Sequence, residues 1–495
     1  MRIATFAFIA GLLIAPAVGQ TVYNATPDWI SSDTQVSTGA ALVDLDRDGW
    51  TDLVVANGND IYVQHVAVYY NNGDGTFPAN PDWQSNDSAF NGHLDVADVN
   101  GDGWPDVAVA RLGKSGVVGT AARLYLNNAG TLSSTPDWQS AEIANAFGVA
   151  FGDVDNDGRP DLAVATGWPY SNPDAYHNYV YMNVDGQLEQ VASWQSADTW
   201  DYDGALWVDA DDNGWLDLAL AGTNNDTWIY PNFGGMLATT ATWHTTDNTG
   251  QFAIMMTAGD VNADGLRELF VTDNTQIFNG SGHIRQYKGL SGGFFSTTPT
   301  WSYYDYDHRY GSSVALADLD GDGRLDLTTG AWWSPIHIFN NTGTGFGTGP
   351  DWMSGTDSVV EKIVFADVDK DGLRPVEETF LTDIFVPIMV YLDQQPIQEI
   401  VAVYRDGVEL SPAEYTFSRE HGWVTVGPTL GEVEVHYTCS SRLDMAVSNW
   451  DSDVGNYLFR HQLVHMGDAN CDGRVNSYDI DPFILLIGDP DSYHA

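Results

Sequence analysis

Positive charge is what this chain most lacks: 19 Lys and Arg stand against 68 Asp and Glu, a formal net charge of −49. A surface that acidic repels phosphodiester backbones and anionic lipid, which excludes nucleic acid and anionic membranes as partners and favours multivalent cations. Cysteine is nearly absent. Cys439 and Cys471 are the only two, so no disulfide framework holds the chain together. Long apolar runs are missing too. Residues 3–15 form the best candidate and are too short for a comfortable bilayer span, so no membrane span is expected. They follow Arg2 and precede Ala17-Val18-Gly19, the pattern of a secretory signal peptide over 1–19. The expected location is therefore secreted, extracellular or cell surface, where calcium is plentiful. Aromatic content of 12% and apolar content of 43% exclude a disordered acidic chain.

What is abundant is one acidic motif. "DLDRDGWTDL" starts at Asp44, "DVNGDGWPDV" at Asp98, "DVDNDGRPDL" at Asp153 and "DADDNGWLDL" at Asp209. "DVNADGLREL" starts at Asp260, "DLDGDGRLDL" at Asp318 and "DVDKDG" at Asp367. The steps are 54, 55, 56, 51, 58 and 49 residues. Two further markers keep the rhythm. Trp29, Trp83, Trp138, Trp194, Trp243, Trp301 and Trp352 precede the first Asp of each copy by 15 or 17 residues. An Asn/Gly-rich segment follows each loop, as in "YYNNGDGTF" at 69 and "IFNNTGTGF" at 338, with "QYKGLSGGF" at 286 as a looser copy.

Each unit holds four short β-type runs separated by Gly, Asn and Asp turns, the pattern of a four-stranded antiparallel sheet. A period near fifty residues predicts an all-β, seven-bladed β-propeller rather than a solenoid or a sandwich array. The seventh copy is interrupted: after Gly372 its continuation resumes as "RLDMAVSN" from Arg442. Residues 373–441 are therefore an inserted small β-module, a sandwich or a roll, with ends close together. The propeller is expected over 20–372 and 442–462. Residues 20–29 resemble the last strand of a unit, and the final unit lacks that strand, so the N-terminal strand is expected to complete it.

Carboxylates this close repel unless something offsets them. Calcium takes six to eight oxygens at about 2.3–2.6 Å, and Asp at alternate positions of a short loop supplies them. Position 6 is Gly in all seven copies, where the chain must turn sharply. Positions 1, 3, 5 and 9 are the expected side-chain ligands. They are Asp44, Asp46, Asp48 and Asp52 in the first loop, then Asp98, Asn100, Asp102 and Asp106 in the second. Asp153, Asp155, Asp157 and Asp161 follow, then Asp209, Asp211, Asn213 and Asp217. The fifth loop offers Asp260, Asn262, Asp264 and Glu268, and the sixth Asp318, Asp320, Asp322 and Asp326. The seventh is split: Asp367, Asp369 and Asp371 precede the insertion and Asp444 follows it. Position 12 of the first copy is the apolar Val55 and strands flank the loop, so this is not an EF-hand. The alternative is a set of Asp-Gly turns with solvated acids.

These units resemble the FG-GAP/VCBS repeats of integrin α-subunit-type propellers and their secreted bacterial relatives, on D-x-[DN]-x-[DN]-G-x-x-[DE] and the Asn/Gly-rich segment after it. The resemblance implies calcium-binding loops that hold the blades, and adhesion or carbohydrate binding. Two copies depart from the pattern, with Asn213 at position 5 and Glu268 at position 9.

Near the C-terminus, "GDANCDGRVNSYDIDPFILLIG" places Asp468, Asn470, Asp472, Asn476 and Asp479 at positions 1, 3, 5, 9 and 12 of another loop, followed by a short amphipathic helix. Residues 466–495 resemble one half of a dockerin type I module, an EF-hand-like tail that implies calcium and a cohesin-like partner. The family carries two such halves and this segment holds one, so a sorting tail, a truncated gene end or a dimerising half are the alternatives.

No HExxH or Walker loop occurs, and the clustered acids are already assigned to the loops. The other notable residues are aromatics at the blade ends away from the acidic loops: Trp168, Tyr170, Trp200, Tyr202, Tyr304 and Trp332. They are candidates for stacking on sugar rings, with packing between blades as the alternative. The sequence thus points to a secreted calcium-binding propeller acting as an adhesion or carbohydrate- or protein-binding module on extracellular polysaccharide or surface protein. The runner-up is a polysaccharide hydrolase or lyase of an extracellular complex.

Overall fold

The structure, a computed structural model, describes residues 22–462 apart from 114–118, 168–175, 224–225, 248–251, 276–281 and 305–309, and without the side chains of 382–387 and 429–430. The signal peptide, the dockerin-like tail with Cys471, and Trp168 and Tyr170 lie outside the described residues. What is described is all β, with one short 3-10 turn at Pro412–Glu414.

Each repeat forms four antiparallel strands in chain order. The first sheet contains Ser37–Val43, Asp52–Asn57, Val66–Tyr69 and Trp83–Gln84. The second contains Asn91–Ala97, Asp106–Arg111, Ala122–Tyr125 and Trp138–Gln139. Sheets of the same order begin at Ala146–Gly152, Tyr202–Val208 and Met256–Gly259. The strands of the last two units form one eight-stranded sheet. In it the unit that starts at Gly311–Ala317 is joined to Ser358–Ala366, Asp444–Asn449, Tyr457–Phe459 and Trp29–Ile30. Trp29 pairs with Leu458 and Ile30 with Tyr457, so the start of the chain completes the last unit.

The second strands, such as DLVVAN and DLAVAT, are buried along their whole length. They read as near-continuous apolar runs because both faces are covered. Seven apolar clusters lie between neighbouring sheets. Val43, Leu94 and Val107 join the first to the second, Phe151 and Leu162 pack on Trp138, and the series runs on around the chain. At its end Val364 and Ala446 of the last unit pack on Ala40 and Leu42 of the first. Each fully buried Val, Leu or Phe contributes about 1.5–3 kcal/mol. In several copies the recurring Trp adds a directional link, its indole N–H donating to a carbonyl of the next sheet. Trp138 reaches Glu189, Trp194 reaches Leu237, Trp243 reaches Phe295 and Trp352 reaches Tyr23, at 2.7–3.1 Å. The first strands approach closely near the axis. A Cβ at Gly148 would stand 2.5 Å from the Asp203 carbonyl, and one at Gly204 2.6 Å from that of Ile254, so neither position tolerates a side chain.

Antiparallel order sorts the connections. The acidic loops join first to second strands and lie at one end; the turns between second and third strands lie at the other. The inserted residues leave from an acidic loop and belong to that end. They form one five-stranded sheet, not the two layers of a sandwich, and Leu373 pairs directly with Ser440 where the chain enters and leaves. The sheet has its own core of Val403, Val424, Val433, Val435 and Tyr437. It is also seated on the loop end. Gln398 Oε1 accepts the Asp367 N–H at 2.9 Å, Tyr391 Oη accepts that of Asp209 at 3.0 Å, and Gln395 Nε2 donates to the Ala258 carbonyl at 2.9 Å. Beneath it a cavity of about 130 Å³ lies on the axis, walled by Leu94, Phe151 and Leu206 and roofed by Ile397, Phe417 and Trp423. Lys362 and Glu420 form an ion pair of 2.8 Å at this cavity. At the opposite end Leu112, Phe147, Phe252, Ile254 and Trp332 close the axis.

Trp423 is 2% exposed among Val154, Trp207 and Leu216 of the neighbouring sheets. Trp423→Ala is expected to lower unfolding stability by about 3–5 kcal/mol, the usual cost of truncating a buried Trp. Denaturant titration measures it, and a loss below about 1 kcal/mol would mean that the inserted sheet is not packed on the ring.

Candidate functional site

The seven acidic loops share one hydrogen-bond scheme. The carboxylate at position 1 accepts the backbone N–H of the position-6 Gly in every copy, at 2.6–2.9 Å. Position 4 is left-handed throughout. Arg47, Asn156, Asp212, Ala263 and Lys370 have φ between +51° and +61°, and Gly101 and Gly321 take the same place. That turn folds the alternating carboxylates back on one another. Carboxylate oxygens of Asp44, Asp46 and Asp48 lie within 4.8 Å of one another, as do those of Asp153, Asp155 and Asp161, of Asp209, Asp211 and Asp217, and of Asp318, Asp320 and Asp326. In the second and fifth loops the position-3 donor is an amide oxygen, of Asn100 or Asn262.

Position 9 begins the second strand and is buried in every copy. One of its oxygens accepts the N–H of position 2, at 2.9–3.2 Å, which closes the loop on its own base. The seventh copy obeys the rule across the insertion: Asp444 Oδ2 accepts the Val368 N–H at 2.9 Å, and Asp444 stands opposite Ala366 in register. The split loop is therefore brought together. Arg442, at the position-7 place, adds an ion pair to Asp371 at 3.3 Å.

The other oxygen of position 9 leads to residues that the loop spacing did not reveal. In five copies it accepts the N–H of an Asn in the Asn/Gly-rich segment: Asn71, Asn127, Asn183, Asn232 or Asn341, at 2.6–2.9 Å. The side-chain amide of that Asn then donates to the position-2 carbonyl of the preceding loop. Asn71 reaches Val368, Asn127 reaches Leu45, Asn183 reaches Val99, Asn232 reaches Val154 and Asn341 reaches Val261, at 2.6–3.0 Å. Recurrence of one Asn at one place in the repeat is the sequence signal for this relay. In the seventh copy His461 takes the place, its N–H donating to Asp444 at 2.8 Å.

The fifth copy departs, and its two unusual residues belong together. Glu268 reaches past the usual point, and its Oε1 accepts from the Asn262 amide at 2.6 Å. The relay Asn is replaced by Gly289, where a Cβ would stand 2.4 Å from the Arg267 carbonyl. The Arg267 guanidinium instead lies over the ring of Tyr391 from the inserted sheet. The letters Gly289-Leu290-Ser291-Gly292-Gly293 spell a nucleophile-elbow pattern, but they form a strand-to-strand turn with no helix after it.

Burial, and then neighbouring carboxylates, push these acids up. Asp52 is raised to about 7, and Asp106, Asp217 and Asp444 to about 8. Asp161 is raised well above the usual carboxylate range by burial and then by Asp153 beside it. The donors are all oxygens, and Asp44 Oδ1 and Asp371 Oδ1 are buried without a hydrogen-bond partner. A hard divalent cation suits such a set, supplying positive charge where the loop concentrates negative charge. Positions 1, 3, 5 and 9 would hold it.

The candidate aromatics separate. Tyr202 is fully buried and Trp332 is 4% exposed, its indole N–H donating to Glu361 at 2.8 Å, so neither offers a face to a ligand. They lie on strands whose side chains turn inward. Trp200 and Tyr304 remain exposed, the first against Trp228 and the second stacked on His283. On the inserted sheet, Glu377, Glu434 and His436 also bring ligand-capable atoms within 4.8 Å.

An FG-GAP-like repeat model matches residues 21–109, 115–164 and 260–329. The chain is 28% identical to integrin alpha-6 of Gallus gallus over 157 residues, 29% of this chain and 14% of that one. It is 31% identical to integrin alpha-3 of Cricetulus griseus over 155 residues, 28% and 14% of the two chains. With human cartilage acidic protein 1 it shares 23% identity over 281 residues, 52% and 42% of the two. The chain thus spans about a seventh of the integrin chains it matches. Among solved structures, Sqt1 of Saccharomyces cerevisiae overlaps with a TM-score of 0.46 and 9% identity, covering 89% of this chain and 99% of that one. The matched segments are FG-GAP-like repeats, and they contain four-stranded antiparallel sheets. No helix among the described residues is long and apolar enough to cross a membrane.

Metal-free protein should lose stability as pH rises. The folded state holds protons on Asp106, Asp217 and Asp444 up to about pH 8, whereas the unfolded chain releases them near pH 4. The folded state binds more protons between those values, so stability falls with increasing pH. Buried His93 and His421, pushed down to about 3 and 4, are neutral above pH 7. The melting temperature of chelator-treated protein should therefore drop between pH 7 and 8.5; an unchanged or rising value contradicts this. Asn183→Ala, which removes a relay between two loops, should cost about 1–3 kcal/mol in the same melts.

Proposed function

We propose that the chain is a secreted, calcium-stabilised, seven-bladed propeller that works as an adhesion or binding module on extracellular polysaccharide or surface protein. The observation that carries the reading is the recurrence of one carboxylate arrangement in seven loops, the last of them assembled across an insertion of about seventy residues. Asp44 to Asp52 and their counterparts are the proposed ligands, with Asp367, Asp369, Asp371 and Asp444 as the split set. Seven apolar interfaces that run from the first unit round to its other side support seven blades. Residues 1–19 as a signal peptide and 466–495 as a dockerin-like calcium loop belong to the same proposal.

Calcium in this reading is structural. It neutralises buried carboxylates at the loop end and leaves the opposite end for recognition. The inserted sheet covers the loop-end mouth of the axis, so ligands approach from the other end. The integrin relatives favour adhesion over catalysis.

Two measurements test it. Ligands that bind only the folded state stabilise it by mass action, about 2.7 kcal/mol for each site at a hundred times its dissociation constant. Calcium-loaded protein should melt well above protein stripped of metal, with bound calcium counted by elemental analysis; equal melts after verified removal refute the calcium reading. Arrays of glycans and extracellular-matrix proteins, probed with and without calcium, should show calcium-dependent retention. Turnover of a polysaccharide would replace the binding module by a hydrolase or lyase.

A further inference from the structure

The end of the ring opposite the acidic loops carries a depression of about 380 Å³, and of the aromatic candidates among the described residues Trp332 alone lines it. Asn59–Tyr62 of the first unit form one side, Trp332 and Trp333 another, and Trp450 and Asp451 of the last unit the third. Within this group Trp333 is the anomaly. It is the bulky residue of a bulge: strand Asp326–Ser334 pairs with Gly311–Ala317 as far as Ala331, then turns to Ser358–Ala366, and its register shifts between Trp332 and Ser334. The bulge holds Trp333 at φ +55°, a conformation that costs a side-chain-bearing residue energy and that bulky residues rarely adopt. The strain is not repaid by burial, since Trp333 is 54% exposed. A strained, outward-facing indole over a depression points to a contact made with something else.

The surroundings fix that indole. Trp332 packs edge-on against it at 6.1 Å and Tyr310 at 5.6 Å. Trp332 in turn is tied to the buried Glu361 carboxyl at 2.8 Å and packs on Trp450 at 5.7 Å. Across the depression, Asn59 Oδ1 accepts the N–H groups of Ile61 and Tyr62 at 2.8 and 2.7 Å, a turn that presents Tyr62 at 46% exposure. The polar groups at the rim, Asp60, Asp451 and Ser452, are rich in oxygen acceptors, and no Lys or Arg among the described residues lines the depression.

We infer that this depression binds a neutral pyranose ring, stacked on Trp333 with Tyr62 beside it and its hydroxyls donating to Asp451. The inference deepens the binding reading above and rests on it. A flat ring with an apolar face and donor hydroxyls at its edge matches an exposed indole beside carboxylates. The absence of basic side chains among the described lining residues disfavours acidic sugars and phosphate. An organic cation would need several open ring faces around one point. Here Trp332 is 4% exposed and Trp333 and Tyr62 supply the open faces, which makes a platform rather than a cage.

The test uses the full calcium-loaded chain. Tryptophan fluorescence and calorimetry follow titration with methyl pyranosides of glucose, galactose, mannose, fucose and N-acetylglucosamine, with methyl glucuronide and tetramethylammonium as contrasts. At least one neutral glycoside should saturate the signal. Trp333→Ala should weaken it about tenfold or more, and Tyr62→Ala several-fold. Trp333→Gly separates binding from folding, because glycine adopts the left-handed conformation without strain. Its melting temperature should equal or exceed the parent's while binding is lost. No saturation by any neutral glycoside, undiminished binding in Trp333→Ala, or tighter binding of tetramethylammonium would each overturn the assignment. If the arrays still show calcium-dependent retention in Trp333→Gly, this pocket falls and the wider binding reading stands; if the parent retains nothing on any array, that reading fails first.

Discussion

A single buried carboxylate at the head of each second strand organises the structure. It caps its own loop through one oxygen and, in five copies, orders through the other an Asn whose amide is spent on the loop before it. Three levels of structure meet in that group: the turn, the hairpin and the contact between sheets. Its burial is also the source of the tension in the molecule. Seven such acids lie almost out of reach of water, each beside others of the same sign. The fold is arranged so that the cost of one ionised group is shared with backbone N–H donors. That explains why loop, relay and Trp marker stay in phase along the chain: none is useful without the others.

Much of this was legible in the sequence because a repeat is self-calibrating. The positions of Asp, Gly and Trp compared with themselves give strand order and loop ends, and even the interruption at Gly372 is visible as a missing continuation. Asp444 could be assigned to Asp367 from seventy residues away because Arg442-Leu443-Asp444 repeats Arg324-Leu325-Asp326. The relay Asn was present in the quoted segments but had no role until its amide was seen to cross to the next sheet, since such contacts depend on how neighbouring sheets stack. The seating of the inserted sheet was hidden for a related reason. Trp423, Tyr391 and Gln398 belong to no repeat, so nothing in the sequence gives their register against the ring.

The aromatic residues show a different limit. Tyr202 and Trp332 stand in segments dense with exposed-looking Tyr and Trp, yet strand parity turns both inward. Trp333 follows Trp332 directly and is the one that faces solvent, because a bulge shifts the alternation by one residue. Composition identifies an aromatic end of the ring; only the backbone decides which ring plane is open.

The union of Trp29–Ile30 with Tyr457–Phe459 has a consequence for how the molecule comes into being. The paired residues Trp29 and Leu458 are more than 420 residues apart, so Trp29–Ile30 waits for a strand made far later before it has a partner. Every earlier sheet can stack on its predecessor as it emerges, but the opening strand cannot. An entropic closure of that length, made once and late, sets a slow final step in assembly. Until it occurs, the last sheet offers an unpaired edge to any other chain that carries the same opening strand. The circle thus has a temporal order: this seam is sealed late, and the concentration of half-made copies decides whether each seals on itself.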